Sequence, residues 1–197
     1  MIKAIIFDLW NTLAVKEVNI SSILVDDFGI KENEEFLVKY EQTIQLEKWK
    51  SIEQMIIHCL DSFGIESSIS NVDFISNKLK KSIRNAALVN GSYELLSELK
   101  SNYKLALLSN TNTFEVLNEK WNIPPFFDAI AYSYETGFLK PKKKSFENVC
   151  KRLGVKLNEC IFVDDLKKNV DAALRCGMNG ILFKDITSLR EHLIKLT

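Results

Sequence analysis

Acidic, hydroxyl and amide side chains follow three apolar runs of the chain, at the point where each run ends. They are Asp8 after "AIIF", Ser109 and Asn110 after "KLALL", and Asp164 and Asp165 after "CIFV". Ligands of an open parallel sheet bind beyond the carboxyl ends of its strands, so we expect these side chains to meet at one edge. Alternatively, the polar residue at each strand end could serve only as the N-cap of a following helix. Because Asp8 is followed by no clear helix, capping does not explain all three strand ends.

Several carboxylates at one sheet edge would repel one another at neutral pH, and a divalent cation removes that repulsion. Mg²⁺ takes oxygen ligands, few protein carboxylates, several waters and often a phosphate of the substrate. Lys140 stands directly before Pro141, and proline restricts the residue before it to extended conformations. We therefore expect Lys140 to hold a fixed ammonium near a carboxylate or a phosphate, whereas residues 142–144 are typical of solvated surface.

The elements that would position these residues follow from the hydrophobic pattern. The predicted strands are Lys3–Phe7, Lys104–Leu108, Ala129–Tyr132, Cys160–Val163 and Gly180–Phe183. The predicted helices between and after them are Ser92–Lys100, Thr113–Trp121, Lys144–Leu153, Lys168–Cys176 and Ser188–Leu196. This alternation predicts an α/β fold, a Rossmann-like parallel sheet with helices on both faces.

Residues 15–89 contain no convincing strand and show amphipathic stretches instead. These stretches are Ile20–Phe28, Glu32–Trp49, Ile52–Phe63 and Val72–Ala87. We interpret residues 15–89 as a small α-helical domain inserted into an α/β core domain formed by residues 1–14 and 90–197.

The composition limits the classes of partner. Lysine plus arginine number 26, as do aspartate plus glutamate, and a net charge of zero favours neither nucleic acid nor an anionic membrane surface. No apolar run reaches the roughly 18 residues of a membrane span, and the N-terminus is too soon acidic for a signal peptide. The four cysteines form no C-x-x-C pair, so we expect reduced thiols in a cytoplasmic protein.

Four short motifs, in this order, resemble those of the haloacid dehalogenase (HAD) superfamily of hydrolases. They are "DLWNT" for D-x-D-x-[T/V], the serine of "LLSNT", the lysine of "GFLKP" and the paired acids of "FVDD". The resemblance covers residues 1–14 and about 90–197, and the helical segment 15–89 lies where the family places a cap domain.

The resemblance implies roles for the matched residues. Asp8 would be the nucleophile that forms a covalent aspartyl intermediate. Ser109 would hydrogen-bond the transferring group, and Lys140 would stabilise Asp8 and the developing charge. Thr12 and Asn110 would be supporting contacts to a small phosphorylated substrate.

The same resemblance implies a magnesium site. Asp8, Asp165 and the backbone carbonyl of Trp10 would be the protein ligands of Mg²⁺. Asp164 would lie behind them and orient Lys140 or a metal-bound water.

Trp10 departs from the family pattern, because the phosphatases of the family usually carry a second Asp at this position. That Asp protonates the leaving alcohol and then activates water against the phosphoaspartate, and an indole N–H can do neither. Losing a general acid–base group typically slows a reaction by about 10²–10⁴-fold.

Three functions stay open. The chain could be a slow magnesium-dependent phosphohydrolase, or a metal-free 2-haloacid dehalogenase with Asp8 as nucleophile, whose halide leaves without a proton. It could also be a non-catalytic phosphate-binding or interaction module. The paired acids Asp164 and Asp165 favour phosphoryl chemistry, because without a cation they would repel an anionic haloacid.

Overall fold

A computed structural model of the protein describes residues 1–196. Its strands and helices, in chain order, are β1 (Ala4–Phe7), β2 (Ala14–Val15), α1 (Ile20–Asp26), α2 (Glu34–Ile44), α3 (Ile52–Ser62), α4 (Ile69–Asn85), β3 (Ala87–Leu88), α5 (Ser92–Lys100), β4 (Lys104–Ser109), β5 (Ala129–Tyr132), α6 (Ser133–Thr136), α7 (Lys143–Leu153), β6 (Cys160–Asp164), α8 (Lys167–Arg175), β7 (Asn179–Leu182) and α9 (Ile186–Leu196). Five strands form one sheet in the order β5-β4-β1-β6-β7, and their pairings are all parallel. The predicted Rossmann-like α/β class is confirmed.

The central strand β1 is apolar and fully buried, which fixes it between two neighbours. Phe7 pairs with Leu107 of β4 on one side and with Val163 of β6 on the other. Alternate side chains of a strand point to opposite faces. Ile5 and Phe7 therefore pack with α5 and α9 on one face, while the other two residues of β1 pack with α7 and α8 on the opposite face. In this register the carboxyl ends of β1, β4 and β6 lie side by side.

The segment between β2 and β3 folds into four helices, α1 to α4, which share a hydrophobic cluster of their own. Each of the four begins at a side-chain N-cap: Asn19, Asn33, Ser51 and Ser68. Such caps satisfy backbone N–H groups that have no partner within the helix. The short strands β2 and β3 pair antiparallel, so the chain leaves the sheet domain and returns to it at adjacent points. In residues 1–196 no helix combines the length and apolar character needed to cross a bilayer.

One predicted helix, Thr113–Trp121, is wrong. Residues 113–118 form an irregular loop with a turn at 113–114 and a bend at 115–116, followed by a short 3₁₀ helix at Glu119–Trp121. The side chain of Asn112 accepts hydrogen bonds from two backbone N–H groups just downstream, at 2.9 and 3.2 Å. Thr111 Oγ1 donates to the carbonyl of Glu115 at 2.9 Å. Such side-chain bonds to nearby backbone compete with helical hydrogen bonding, and here they produce a loop.

Candidate active site

Three neighbouring strands deliver polar side chains to one edge of the sheet, as the sequence predicted. Asp8 directly follows β1, Ser109 is the last residue of β4 and Asp164 is the last residue of β6. Because β1 lies between the other two strands, Asp8 is central. A cavity of about 210 Å³ lies at this edge, and Asp8, Ser109, Lys140 and Asp165 all line it.

Lys140 joins two of the acids. Its Nζ lies 2.5 Å from Asp8 Oδ1 and 2.7 Å from Asp164 Oδ2, and its side chain is only 2% exposed. The amide of Asn110 fixes the lysine backbone, because Oδ1 accepts from the Lys140 N–H at 2.8 Å and Nδ2 donates to the Lys140 carbonyl at 2.9 Å. We predicted Asn110 as a substrate contact. Since both ends of its amide bind Lys140, we now expect it to position that lysine.

Asp164 and Asp165 differ in their surroundings although they are adjacent. Asp164 is fully buried and is enclosed by protein donors: Asn169 Nδ2 lies 3.0 Å from each of its carboxylate oxygens, and the Leu166 N–H donates at 2.8 Å. Asp165 is half-buried and lines the cavity. Asp164 is thus placed to hold Lys140, while Asp165 is available to a ligand.

The acids at this edge are held in an unfavourable electrostatic environment. Burial raises the pKa of Asp8 to about 7, with Asp164 and Asp165 adding to the rise and Lys140 opposing it. Burial and the Asp164 carboxylate likewise raise the pKa of Asp165. A divalent cation between Asp8 and Asp165 would relieve this repulsion.

The available donors suit magnesium. Among residues 1–196 no cluster of three or more His, Cys, Asp or Glu side chains is placed to hold a metal ion. Asp8 and Asp165 both line the cavity, so their carboxylates would hold a cation there together with water and substrate oxygens. Mg²⁺ characteristically binds in this way, through one or two carboxylates, retained waters and phosphate oxygens.

Two buried hydroxyls near the site, Ser109 Oγ and Thr12 Oγ1, have no hydrogen-bond partner in the described part of the chain. An unsatisfied buried polar group costs roughly 1–3 kcal/mol. Ser109 lines the cavity, so its hydroxyl is placed to bind an oxygen of a ligand. Thr12 is fully buried and is not among the lining residues, so this structure does not support the predicted side-chain contact between Thr12 and substrate.

Trp10 is fixed by contacts around its indole. Nε1 donates to the carbonyl of Glu115 at 2.9 Å, and the ring meets Trp121 edge to face with 6.2 Å between centroids. Lys16 Nζ lies 4.3 Å from the centroid of the same ring. The indole N–H is therefore used within the protein, and the tryptophan forms a wall of the cavity rather than a proton donor to it.

Lys16 and Glu115 form a buried ion pair in the cavity wall that no sequence motif indicated. Lys16 Nζ lies 2.6 Å from Glu115 Oε1, with side chains 7% and 3% exposed, and Asn112 donates to the other carboxylate oxygen at 2.8 Å. Burial lowers the pKa of Lys16, against the opposing effects of Glu115 and Asp8. Glu115 lies in the loop that was predicted as a helix, so the pattern carried no signal for this pair.

The four-helix segment contacts the sheet domain beside the cavity. Ser133 Oγ donates to the Gln45 carbonyl at 2.6 Å, and the Trp49 N–H donates to Thr113 Oγ1 at 3.0 Å. These bonds hold the end of α2 and the residues after it against the site, so Gln45 forms part of the cavity wall.

By name, two curated relatives are a hydrolase and a phosphatase. The chain is 28% identical over 131 residues to flavin mononucleotide hydrolase 1 of Arabidopsis thaliana, covering 65% of this chain and 54% of that protein. It is 32% identical over 106 residues to a glyceraldehyde 3-phosphate phosphatase of Methanothermobacter thermautotrophicus, covering 51% and 47%. The chain thus spans about half the length of these relatives.

Solved structures share the fold. A HAD family enzyme from Bacteroides thetaiotaomicron, an Asp-to-Ala variant in complex with magnesium and inorganic phosphate, matches with a TM-score of 0.66 and 21% identity, over 96% of this chain and 99% of that chain. A 2-haloacid dehalogenase from Pseudomonas syringae matches with a TM-score of 0.65 and 15% identity, over 100% of both chains. The fold alone does not separate these activities. The haloacid dehalogenase-like hydrolase family matches residues 2–177, and the chain belongs to that family of hydrolases.

Proposed function

We propose that this protein is a magnesium-dependent phosphohydrolase that acts on a small phosphate ester through an aspartyl-phosphate on Asp8. The observation that carries the proposal is the position of the Lys140 ammonium, 2.5 Å from Asp8 Oδ1 and 2.7 Å from Asp164 Oδ2. Ser109 and Asp165 line the same cavity. Phosphoryl transfer can use a carboxylate as nucleophile, and an ammonium and a hydroxyl to bind the phosphate oxygens. The Ser109 hydroxyl has no partner within residues 1–196.

In the proposed reaction, a carboxylate oxygen of Asp8 attacks phosphorus while the bond from phosphorus to the ester oxygen breaks. Ser109 and Lys140 hold the phosphoryl oxygens, and Mg²⁺, when bound, neutralises negative charge on the phosphate. The leaving alkoxide takes its proton from water, because the indole N–H of Trp10 is not an acid and already donates to the Glu115 carbonyl. A second water then cleaves the aspartyl-phosphate, releasing inorganic phosphate and restoring Asp8.

We further propose that residues 15–89 act as a cap. Their four helices hold a separate hydrophobic cluster and reach the sheet domain through polar contacts such as Ser133 to Gln45. A unit attached in this way can open to admit substrate and close to exclude water.

Metal-free dehalogenation is the second candidate, and Trp10 is the observation that favours it, because halide departs without a proton donor. The Asp165 carboxylate, which lines the cavity, weighs against it. An anionic haloacid would approach that carboxylate with no cation between them.

A paired assay separates these candidates. We expect p-nitrophenyl phosphate to be hydrolysed in the presence of Mg²⁺ and the rate to fall to background in EDTA, because phosphate and carboxylates then repel. We expect no chloride release from 2-chloropropionate in either condition. Chloride release in EDTA without ester hydrolysis would reverse the assignment, and binding of Mg²⁺ and phosphate without any turnover would indicate a non-catalytic module.

Replacement of Ser109 tests its role as a ligand contact. We expect Ser109→Ala to lower kcat/KM for p-nitrophenyl phosphate by about 10- to 100-fold, the effect of losing a hydrogen bond to a charged group. Thermal stability should stay equal or rise, because the hydroxyl has no partner in residues 1–196. Ser145→Ala is the matched control, since Ser145 is also buried but bonds the Lys142 carbonyl. A loss of Tm without a loss of activity in Ser109→Ala would contradict the assignment.

A further inference from the structure

The helical segment contributes mainly polar side chains to the cavity wall. They include Asn19, Ser21, Tyr40, Glu41 and Gln45, and Leu37 is the apolar residue among them. Gln45 Oε1 is a buried acceptor with no hydrogen-bond partner among residues 1–196. An apolar or flat aromatic leaving group would remove water from such groups without replacing its hydrogen bonds, which is unfavourable. The wall instead suits a leaving group that carries hydroxyls.

The size of the cavity limits the leaving group further. Its volume is about 210 Å³, below the roughly 300–1,000 Å³ typical of pockets for larger organic ligands. The phosphoryl group must occupy the part next to Asp8 and Ser109. The remaining space fits a leaving group of a few carbons in contact with the cavity walls.

The charge of the cavity wall disfavours a negatively charged leaving group. The lining acids and ammonium groups are Asp8, Glu41, Glu115, Asp165, Lys16 and Lys140. Even with Mg²⁺ these charges only balance, and the phosphate brings further negative charge. Of the two lining ammonium groups, Lys140 is paired with Asp8 and Asp164. A carboxylate on the leaving group would therefore have to share Lys16, which is already paired with Glu115 at 2.6 Å.

We propose that the Lys16–Glu115 pair binds the hydroxyl groups of a small, uncharged polyol leaving group and selects such esters over those that carry a carboxylate. This inference rests on the proposed phosphohydrolase function. Lys16 has three N–H donors, and its ammonium is held between the indole of Trp10 and Glu115. An ammonium beside a carboxylate offers a donor and an acceptor together, which matches a hydroxyl group because a hydroxyl both donates and accepts.

The first test compares two esters with the same carbon skeleton, glycerol 3-phosphate and 3-phosphoglycerate, with p-nitrophenyl phosphate alongside and Mg²⁺ present. We expect kcat/KM for glycerol 3-phosphate to exceed that for 3-phosphoglycerate by about tenfold or more. Equal values, the opposite preference, or turnover of p-nitrophenyl phosphate without turnover of either glycerol derivative would overturn the inference alone. If none of the three esters were hydrolysed, the proposed function itself would be contradicted.

The second test changes the pair. Glu115→Gln releases the Lys16 ammonium, so we expect the preference to shift toward 3-phosphoglycerate by about tenfold. Lys16→Met should lower kcat/KM for glycerol 3-phosphate by about 10- to 100-fold, mainly through KM, and lower that for p-nitrophenyl phosphate much less. Lys143→Met is the matched control, because Lys143 is exposed and pairs with Glu147 on the surface; it should leave both values unchanged.

Lys16→Met leaves a buried carboxylate without its cation and could unfold the protein. The double variant Lys16→Met/Glu115→Gln removes both charges, and its Tm shows whether the fold persists. A purely structural pair would lower kcat/KM for all esters by the same factor and would not shift the preference in Glu115→Gln. That pattern, in a folded double variant, would overturn the inference.

Discussion

Trp10→Asp should accelerate the hydrolysis of esters with poor leaving groups by about 10²-fold or more, the usual range for a restored general acid–base group. The substitution places a titratable carboxyl beside Asp8, where the wild-type indole N–H is bound to the Glu115 carbonyl at 2.9 Å. The acid can protonate an alkoxide and then activate water against the aspartyl-phosphate. The measurement is kcat/KM for an alkyl phosphate and for p-nitrophenyl phosphate.

The gain should be larger for the alkyl phosphate, because p-nitrophenolate leaves without protonation. Trp10→Asn is the matched control, since it opens the same space without a titratable group. Equal acceleration of both esters, or equal acceleration by Asp and Asn, would remove the missing-acid explanation and point to steric relief. The T-shaped contact with Trp121 is lost in both variants, so their Tm values should fall together.

The missing base also predicts the kinetics of the wild-type protein. Formation of aspartyl-phosphate from p-nitrophenyl phosphate needs no acid, whereas its hydrolysis needs activated water. We therefore expect a burst of p-nitrophenolate close to one equivalent per active site, followed by a slower steady state. Trp10→Asp should abolish the burst.

Asp8→Asn should reduce hydrolysis of every ester to the level without protein, a loss of at least about 10⁴-fold, because the nucleophile itself is removed. The fold should persist, since Lys140 keeps its 2.7 Å contact with Asp164 and the neutral amide removes a carboxylate whose pKa burial had raised to about 7. The measurements are turnover of p-nitrophenyl phosphate with Mg²⁺ and the Tm of each protein.

Asp171→Asn is the control for this substitution. Asp171 pairs with Lys167 on the exposed face of α8, and such surface pairs contribute at most about 1 kcal/mol. It should leave both activity and Tm near wild type. Substantial ester hydrolysis by Asp8→Asn would exclude an aspartyl intermediate at this position and move the nucleophile elsewhere.

The sequence by itself determined the sheet and the polar residues at the carboxyl ends of three of its strands. Short continuous apolar runs such as "AIIF" and "CIFV" are typical of buried strands, so these strands can be predicted from the sequence alone. A parallel sheet then brings its strand ends together without further information. For this reason Asp8, Ser109 and Asp165 could be assigned to one cavity before any coordinates, and Lys140 could be added from the proline that follows it.

Only the tertiary structure shows the contacts between segments that lie far apart in the chain. Lys16 meets Glu115 at 2.6 Å, and β2 pairs with β3 although four helices separate them in the chain. Neither contact leaves a period or a motif in the sequence, because a single ion pair and a two-residue strand involve too few residues to form one. The loop at 113–118 was mistaken for a helix because its side-chain hydrogen bonds to backbone outweigh the helical spacing of its apolar residues. The position of Asp8 at the sheet edge therefore follows from local sequence, whereas the Lys16–Glu115 part of the cavity wall follows only from the tertiary structure.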